Sequence, residues 1–287
     1  MTAEHRRAQS KFRVLSLYRK TLNVALISIF IAWSSGAWAV EFAAHRALYR
    51  LTLASAPASG GIVGVNGEMA VDWQNACSGW TFDYRSIIDI LKTEEDNVRL
   101  ATSATTWESA DGRQYNFDVR HTTNDTEKEQ ISGIARMPKT GQPGQVEFVK
   151  PKKKQLKLPK GTLFPIAHSL AIMRAMVKEN SPAIVSRNVF DGMDATGLYL
   201  VNAVIGKARA AGGSKIKLPG AMRGKKHWPV GLAYFQHGSG KSLPDHEMKM
   251  AVYENGVADK FLMDFQEFVL RADLVRIELS KKIHCKE

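Results

Sequence analysis

Apolar and polar residues alternate with a period of two along much of this chain. The stretch "RALYRLTL" shows the alternation near residue 50, and "GWTFDYRSIIDI" shows it from residue 79 onward. In the second stretch one side carries Trp80, Phe82 and Tyr84. Such alternation is typical of β-strands that bury one face. The pattern therefore predicts a mainly β protein.

Turn signals between these stretches predict hairpins. Asp111-Gly112 interrupts "TTWESADGRQYNFDVRH", and Asn255-Gly256 interrupts "EMKMAVYENGVADKFLMDF". Asn-Gly flanked by alternating apolar residues favours a two-residue type I′ turn. A further strand is predicted in "EFVLRADLVRIEL". Successive hairpins of this kind predict a meander of antiparallel strands.

One segment has helical spacing instead. In "KGTLFPIAHSLAIMRAMVKENSP" the apolar residues Ile166, Leu170, Met173 and Val177 recur every three or four positions. Pro165 suits a first helical turn, and a further proline follows the segment. We predict one amphipathic helix over about 166–179. It would pack on a sheet face or plug the end of a barrel-like sheet.

The first residues of the chain predict export. Six basic residues and one acid occupy positions 1–20, and the uncharged run "LNVALISIFIAW" follows. This order is typical of a secretory signal, and the small residues of "SSGAWAV" predict cleavage after Ala39, so that the mature protein begins at Val40. A retained anchor is the alternative, but about 20 apolar residues are needed to span a bilayer. We expect 1–39 to be removed and 40–287 to form one domain in the periplasm, not integral to the membrane.

The chain has two cysteines, Cys77 and Cys285. In an oxidising compartment two lone cysteines of a soluble domain tend to pair. The pair would join the last strand to an early one. The alternative is two buried thiols that do not meet.

Charge adds one further segment of interest. The chain is basic, with a formal net charge of +12, and "KPKKKQLKLPKG" concentrates lysines between the first strands and the helix. We interpret this run as a solvated linker. Binding to lipid headgroups or lipopolysaccharide is the alternative, since basic clusters attract anionic surfaces. Aromatic residues for base stacking are not interleaved, so nucleic acid is not expected as a partner.

Motifs for catalysis or cofactors are weak. "HGSGKS" resembles a phosphate-binding loop, but Phe235 stands where the motif needs its first glycine. The histidines are scattered without metal-ligand spacing, and His168 is interpreted as a core-edge residue. No catalytic residue, metal or cofactor is predicted. A hydrolase triad remains open.

Several separate motifs resemble the EipB cell-envelope-integrity family of exported alphaproteobacterial proteins. They are "NACSGWTFDYRS", "LPKGTLFPIAHSL", "VFDGMD" and the long segment from "LPDHEMKM" to "KKIHC". The resemblance implies a spiral, partly open cylinder of antiparallel strands with one helix, closed by a disulfide that corresponds to Cys77 and Cys285. It also implies a role in envelope integrity under stress. The chain departs from the family at His246 and Phe265, and both replacements keep a ring.

These observations together predict a non-enzymatic periplasmic protein that maintains the cell envelope. A curved sheet with an apolar inner face could receive acyl chains, so lipid or lipoprotein is the expected ligand. Trp80, Phe82 and Tyr84 are the candidate lining residues, and ordinary core beneath the helix is the other interpretation. Alternative functions are a scaffold that binds a partner, such as a periplasmic helical-repeat protein, and an uncharacterised envelope hydrolase.

Overall fold

The structure is a computed structural model that describes residues 42–94, 96–138, 142–178, 182–210, 218–281 and 283. The predicted cleavage site at Ala39 and Val40 lies outside these residues.

Within the described residues the chain forms fourteen strands and one α-helix. The strands are β1 His45–Ser55, β2 Ile62–Asn75, β3 Gly79–Lys92, β4 Val98–Ser109, β5 Gln114–Thr123, β6 Thr126–Arg136, β7 Gly144–Lys150, β8 Lys154–Leu158, β9 Ala183–Phe190, β10 Leu198–Ile205, β11 His227–Gln236, β12 His246–Tyr253, β13 Ala258–Asp264 and β14 Val269–Leu279. The helix α1 spans Pro165–Lys178, between β8 and β9.

All fourteen strands belong to one antiparallel sheet. Its order is β8-β7-β6-β5-β4-β3-β2-β1-β14-β13-β12-β11-β10-β9, so two meanders are joined where the first strand pairs with the last. The two edges, β8 and β9, approach each other through Leu163, whose N–H donates to the Asn188 carbonyl (2.8 Å) and whose carbonyl accepts from Phe190 N–H (3.0 Å). The sheet is therefore a nearly closed, barrel-like cylinder, and the predicted mainly β fold with one helix is confirmed.

Alternation along the strands separates an inner face from an outer one. On β1, Ala47, Tyr49 and Leu51 are buried, while Arg46 just before them and Arg50 between them are exposed. Because neighbouring strands are antiparallel, the turns after odd-numbered strands face one end of the cylinder, apart from the β9–β10 loop, which turns into the interior. We call this end the odd-turn end, and the opposite one, which also holds the start of α1, the even-turn end.

The helix is confirmed, but its predicted face is partly wrong. Ile166 and Met173 are buried, whereas Val177 is 45% exposed. The buried face instead continues through Ile172 and Met176. The helix lies inside the cylinder against β9 and β10, where its buried residues join those of β10 to β12 in one core cluster. A helix enclosed by a curved sheet buries a broader face than a single stripe predicts.

The hairpin at Asn255-Gly256 is confirmed, but its turn type differs from the prediction. Gly256 has φ 84°, and its N–H donates to the Tyr253 carbonyl, while Tyr253 N–H donates to the Val257 carbonyl. Asn255 keeps a negative φ, so the loop has three residues with the left-handed one last. This geometry belongs to a type I turn with a glycine bulge, whereas type I′ needs two positive φ angles.

The lysine-rich run is not a linker. Residues Lys154–Leu158 form β8, which pairs with β7 from Gly144↔Leu158 to Phe148↔Lys154. Alternation survives in "KQLKL", where Leu158 is buried and Lys157 is exposed. The high lysine content concealed a short edge strand.

Candidate functional site

The interior of the cylinder does not contain one continuous core. The buried apolar residues form four separate clusters. Inward-facing aromatic and methionine side chains lie between the clusters and remain partly exposed. A compact domain usually has one contiguous core. Solvent therefore reaches part of the inner face, which makes this face the candidate binding site.

One wall of this site comes from β12 and β13. Met248 pairs with Met263, and Met250 pairs with Phe261, so four adjacent side chains form a continuous apolar surface. All four are only partly buried. Methionine has a flexible and polarisable side chain that adapts to irregular apolar partners. Such a wall suits an apolar ligand of variable shape.

The three candidate lining residues lie on the inner face of β3, as the alternation predicts. Trp80 packs against the cluster that contains α1, which supports the core interpretation for this residue. Phe82 stacks on Trp73 with ring centroids 3.9 Å apart, and Tyr84 packs between two clusters. None of the three is fully buried. Their role in ligand binding stays a prediction, with Phe82 and Tyr84 the better placed.

Aromatic side chains close the even-turn end. Phe42 meets Trp73 and Trp80 edge to face, with centroids 5.2 Å and 5.3 Å apart. A Cβ on Gly256 would lie 2.5 Å from the Phe42 ring and 3.0 Å from the Met173 sulfur. The turn, the ring and the helix therefore pack without space for a further methyl group.

A buried carboxylate fixes the start of α1 at this closed end. Glu108, 2% exposed, accepts hydrogen bonds from the backbone N–H groups of Ile166 (2.7 Å) and Ala167 (2.9 Å). The first N–H groups of a helix lack partners within the helix, and a carboxylate there also meets the positive end of the helix dipole. Burial raises the pKa of Glu108 to about 7, against the two hydrogen bonds, which lower it.

Sequence analysis missed Glu108. The available signal was a charged residue at an inward position of β4, in phase with the buried residues Ala104 and Thr106. A charge at such a position needs a buried partner. The partner, however, is the backbone N–H of Ile166, 58 residues away in sequence, which periodicity does not reveal.

A group of polar aromatic residues lies at the odd-turn end, on the neighbouring strands β10, β11 and β12. Tyr234 stacks on His246 with centroids 4.2 Å apart, and the ring of Tyr199 meets His246 edge to face at 5.6 Å. The Tyr199 hydroxyl donates to the Asp194 carboxylate. Burial lowers the pKa of His246, which favours its neutral form, although Asp245 and Asp194 act in the opposite direction. Apolar ring faces with polar tips suit the boundary between an acyl chain and its headgroup.

The β9–β10 loop, 191–197, lies along the inner face of β5. The Tyr115 hydroxyl donates to the Asp191 carbonyl (2.8 Å), and His121 Nε2 lies 3.0 Å from the Met193 carbonyl oxygen. A Cβ on Gly192 would lie 2.8 Å from the Phe117 ring. Burial raises the pKa of the Asp191 carboxyl to about 7. The loop is thus part of the inner wall. The motif "VFDGMD", residues 189–194, contains the end of β9 and the first four residues of this loop.

The described residues contain no group of three metal-ligating side chains that could hold an ion. His168 is buried on α1, and burial lowers its pKa to about 4, in keeping with the predicted core-edge role. A depression of about 460 Å³ lies outside the cylinder, on β1 to β3, and charged side chains such as Arg50, Glu68 and Arg85 border it. That charged border fits an apolar ligand less well than the inner face does.

Of the two cysteines predicted to pair, the structure describes one. Cys77 lies in the β2–β3 turn at the even-turn end, and Cys285 lies outside the described residues. The end of β14 approaches that turn, since Gln74 Nε2 donates to Ser280 Oγ (3.2 Å). The Cys77–Cys285 disulfide stays a prediction.

No helix among the described residues is both long and apolar enough to cross a membrane. A search of solved structures finds the crystal structure of a β-barrel-like protein of a domain of unknown function from Brucella abortus. The two are 27% identical with a TM-score of 0.75, and the match covers 85% of this chain and 100% of that one.

Sequence comparison leads to the same group of proteins. The cell envelope integrity protein EipB of Brucella abortus is 30% identical over 256 residues, which are 87% of this chain and 89% of that protein. A family profile described as EipB-like matches residues 36–281. With its single antiparallel cylinder, internal helix and these matches, the chain belongs to the EipB-like family.

Proposed function

We propose that this protein is an exported, non-enzymatic factor for cell envelope integrity that holds the acyl chain of a lipid or lipoprotein inside its cylinder. The name of the Brucella relative supports the envelope role. The partly exposed inner wall of Met248, Met250, Phe261 and Met263 carries the ligand proposal. The export signal in the sequence supports a periplasmic location.

The chemistry of the interior favours an acyl chain over a polar ligand. The wall offers methionine and aromatic side chains, which gain stability by leaving water and adapt to flexible partners. Tyr199, Tyr234, His246 and Asp194 add hydroxyl, imidazole and carboxylate groups next to this wall, at the odd-turn end. A ligand with a long apolar body and one polar end would match this gradient.

Native mass spectrometry of the protein purified from a periplasm without detergent tests the proposal, with organic extraction to identify the ligand. We expect near-stoichiometric phospholipid or lipoprotein in the wild type. Met248→Glu places a carboxylate on the inner wall and should abolish copurification. Leu262→Glu is the matched control, because Leu262 lies in the same pair of strands but faces outward and is 37% exposed.

Folding must be separated from binding in this experiment. Circular dichroism and thermal unfolding should be similar for the Met248→Glu and Leu262→Glu variants, and Met248→Gln replaces the glutamate if the first variant does not fold. A wild-type protein free of lipid, or equal loss of lipid in both variants, would contradict the proposal.

The hydrolase alternative has one arrangement in its favour. Thr102 Oγ1 lies 3.1 Å from His121 Nδ1, and the other ring nitrogen faces the Met193 carbonyl. A hydroxyl beside an oriented imidazole resembles an activated nucleophile. The same contacts also fix the β9–β10 loop to β4 and β5, which is the function we assign to them. Loss of acyl-ester hydrolysis in Thr102→Val, with folding intact, would favour the enzyme instead.

A scaffold function is supported by the outer face of β9 and β10. Ile184, 74% exposed, pairs directly with Val204, 52% exposed, and Leu200 lies on the same face at 38%. Exposed apolar patches often mark protein interfaces. Loss of a copurifying partner protein, such as a helical-repeat protein, in Ile184→Glu but not in Met248→Glu would assign the role to this face.

A further inference from the structure

The hairpin formed by β7 and β8 carries an unusual concentration of exposed positive charge. We call the lysines of this hairpin and its flanks the lysine hairpin: Lys150, Lys152, Lys153, Lys154, Lys157 and Lys160. All six are exposed, and none forms an ion pair within the part of the chain that the structure describes.

Several other exposed basic residues of the sheet pair with nearby acids. Arg46 pairs with Asp72 at 2.6 Å, and Arg99 pairs with Asp89 at 2.7 Å. Next to the lysine hairpin, Arg136 on β6 forms an ion pair with Glu147 on β7. These ion pairs offset part of the positive charge of the outer surface, whereas the lysine hairpin concentrates six exposed cations in eleven residues.

Protection of a sheet edge does not account for this excess. Lysines on an edge strand discourage pairing with other chains, and Lys154 and Lys157 on β8 serve that purpose. Lys152 and Lys153, however, belong to the turn, and Lys160 follows the strand. With Lys150, the last residue of β7, four of the six lysines are thus outside the edge strand and require another explanation.

The position of the turn places the lysines at one end of the cylinder. It follows β7, so it lies at the odd-turn end, the same end at which Tyr199, Tyr234 and His246 stand. Val149, 56% exposed, and the exposed Pro151 add apolar surface between the lysines. An anionic lipid bilayer matches both features, because its headgroups attract the lysines and its acyl chains lie just below, within reach of Val149 and Pro151.

We infer that the lysine hairpin docks the protein on an anionic phospholipid bilayer. Lysines within a Debye length of such a surface are attracted electrostatically, and several acting together give reversible binding without a membrane anchor. This inference goes beyond the proposed function, since docking does not require an occupied interior.

Sedimentation with vesicles tests the inference. The protein should bind vesicles of phosphatidylglycerol and phosphatidylcholine in equal parts, and not vesicles of phosphatidylcholine alone. The variant K152E/K153E/K154E should bind about a hundredfold more weakly, since each lysine near such a surface contributes about fivefold. Binding should also disappear at about 1 M salt, where the Debye length falls to about 3 Å.

A control of equal charge separates a local site from net charge. The variant R50E/K226E/K249E makes the same change at exposed positions elsewhere and should retain vesicle binding. Equal loss in both triple variants, or equal binding to both kinds of vesicle, would overturn the inference. Tight binding to a soluble polyanion such as heparin without vesicle binding would overturn it too, in favour of a different partner.

Different variants test the lipid-binding proposal and the bilayer-docking inference, so that either one can be contradicted without the other. Met248→Glu should lose copurified lipid but bind vesicles, whereas K152E/K153E/K154E should keep its lipid but lose the vesicles. Thermal unfolding should be unchanged in the triple variant, because its three side chains are exposed and make no ion pair among the described residues.

Discussion

The two ends of the cylinder use the same alternating strands but differ in how they are filled. At the even-turn end Phe42, Trp73 and Trp80 pack edge to face, and Met173 of α1 is 1% exposed beneath them. At the odd-turn end the inward residues of β12 and β13, such as Met248 and Met263, stay partly exposed. The even-turn end is close-packed. At the odd-turn end Val65, Ile90 and Leu270 are also buried, so it is the β12–β13 side of that end that keeps apolar surface available.

The helix explains this difference. It starts at the even-turn end, where Glu108 binds its first N–H groups, and its buried residues fill the space against β9 to β12. Further along β3 and β13, Tyr84 and Met263 pack against a cluster formed mainly by strand residues, with Met222 from the β10–β11 connection. A cylinder with one internal helix can therefore combine a close-packed end with a binding site.

The largest expected effect concerns the predicted disulfide. Cys77 lies at the even-turn end, so a bond to Cys285 would hold that end closed. Replacing both cysteines with serine should lower the free energy of unfolding by up to about 5 kcal/mol, because the bond would close a very long loop in the unfolded chain. Urea unfolding of oxidised protein measures the change. Two free thiols after periplasmic expression, shown by peptide mass, would refute the pairing.

Matched methionines at the two ends provide the most direct comparison. Met173→Ala should destabilise the protein by about 2–5 kcal/mol, because it leaves a cavity among fully buried neighbours. Met248→Ala removes the same side chain from a partly exposed position and should cost less than about 1 kcal/mol. Urea unfolding of both variants measures the difference. Equal costs would show that the odd-turn end is packed like the even-turn end.

Glu108 makes the closed end sensitive to pH. Its pKa is raised in the folded protein, from an ordinary value of 4.5 to about 7, so the unfolded chain gives up the proton first as pH rises. The stability that protonation provides is complete below about pH 4.5 and is lost as pH approaches 7. This shift corresponds to at most about 3 kcal/mol.

Glu108→Gln tests this linkage, because glutamine keeps one acceptor for the helix and does not titrate. Unfolding free energies of wild type and variant should diverge across this pH range, with the wild type losing relative stability as pH rises. Asp191, which also titrates near pH 7, is present in both proteins and cancels. A difference that is constant with pH would show that the ionised form already dominates in the fold.

Local patterns were enough to predict the strands, the helix and the inward face of β3. Trp80, Phe82 and Tyr84 share that face because alternation in a strand depends only on neighbouring residues. The joining of β1 to β14 and the contact of Glu108 with α1 depend on residues far apart in sequence, so no local period carries them. The antiparallel meander was predictable from the hairpins, whereas the spiral, partly open cylinder was implied only by the family resemblance.

Composition misled where it was read without periodicity. The high lysine content around β8 predicts a solvated linker, although the alternating leucines Leu156 and Leu158 indicate a strand. On α1, periodicity alone predicts a buried stripe that ends in Val177, although Ile172 and Met176 beside that stripe are also apolar and are the residues that are buried. In both cases tertiary context decided which residues are buried.

The smallest expected effect concerns His246 at the odd-turn end. Burial lowers its pKa, so the folded state resists protonation, and stability is lost as pH falls below the ordinary value of 6.5. His246→Phe keeps a ring against Tyr199 and Tyr234 and removes the titration. We expect unchanged unfolding near pH 8 and a gain below about 1 kcal/mol near pH 5.

Thermal unfolding of wild type and His246→Phe at the two pH values measures this gain. A loss of several kcal/mol at both values would mean that the imidazole is part of a close-packed core at this end too. The difference between the two ends would then lie in composition alone. A small, pH-dependent gain in stability would mean that the side chains of Tyr199, Tyr234 and residue 246 are loosely packed. A site that admits ligands of different size requires such loose packing.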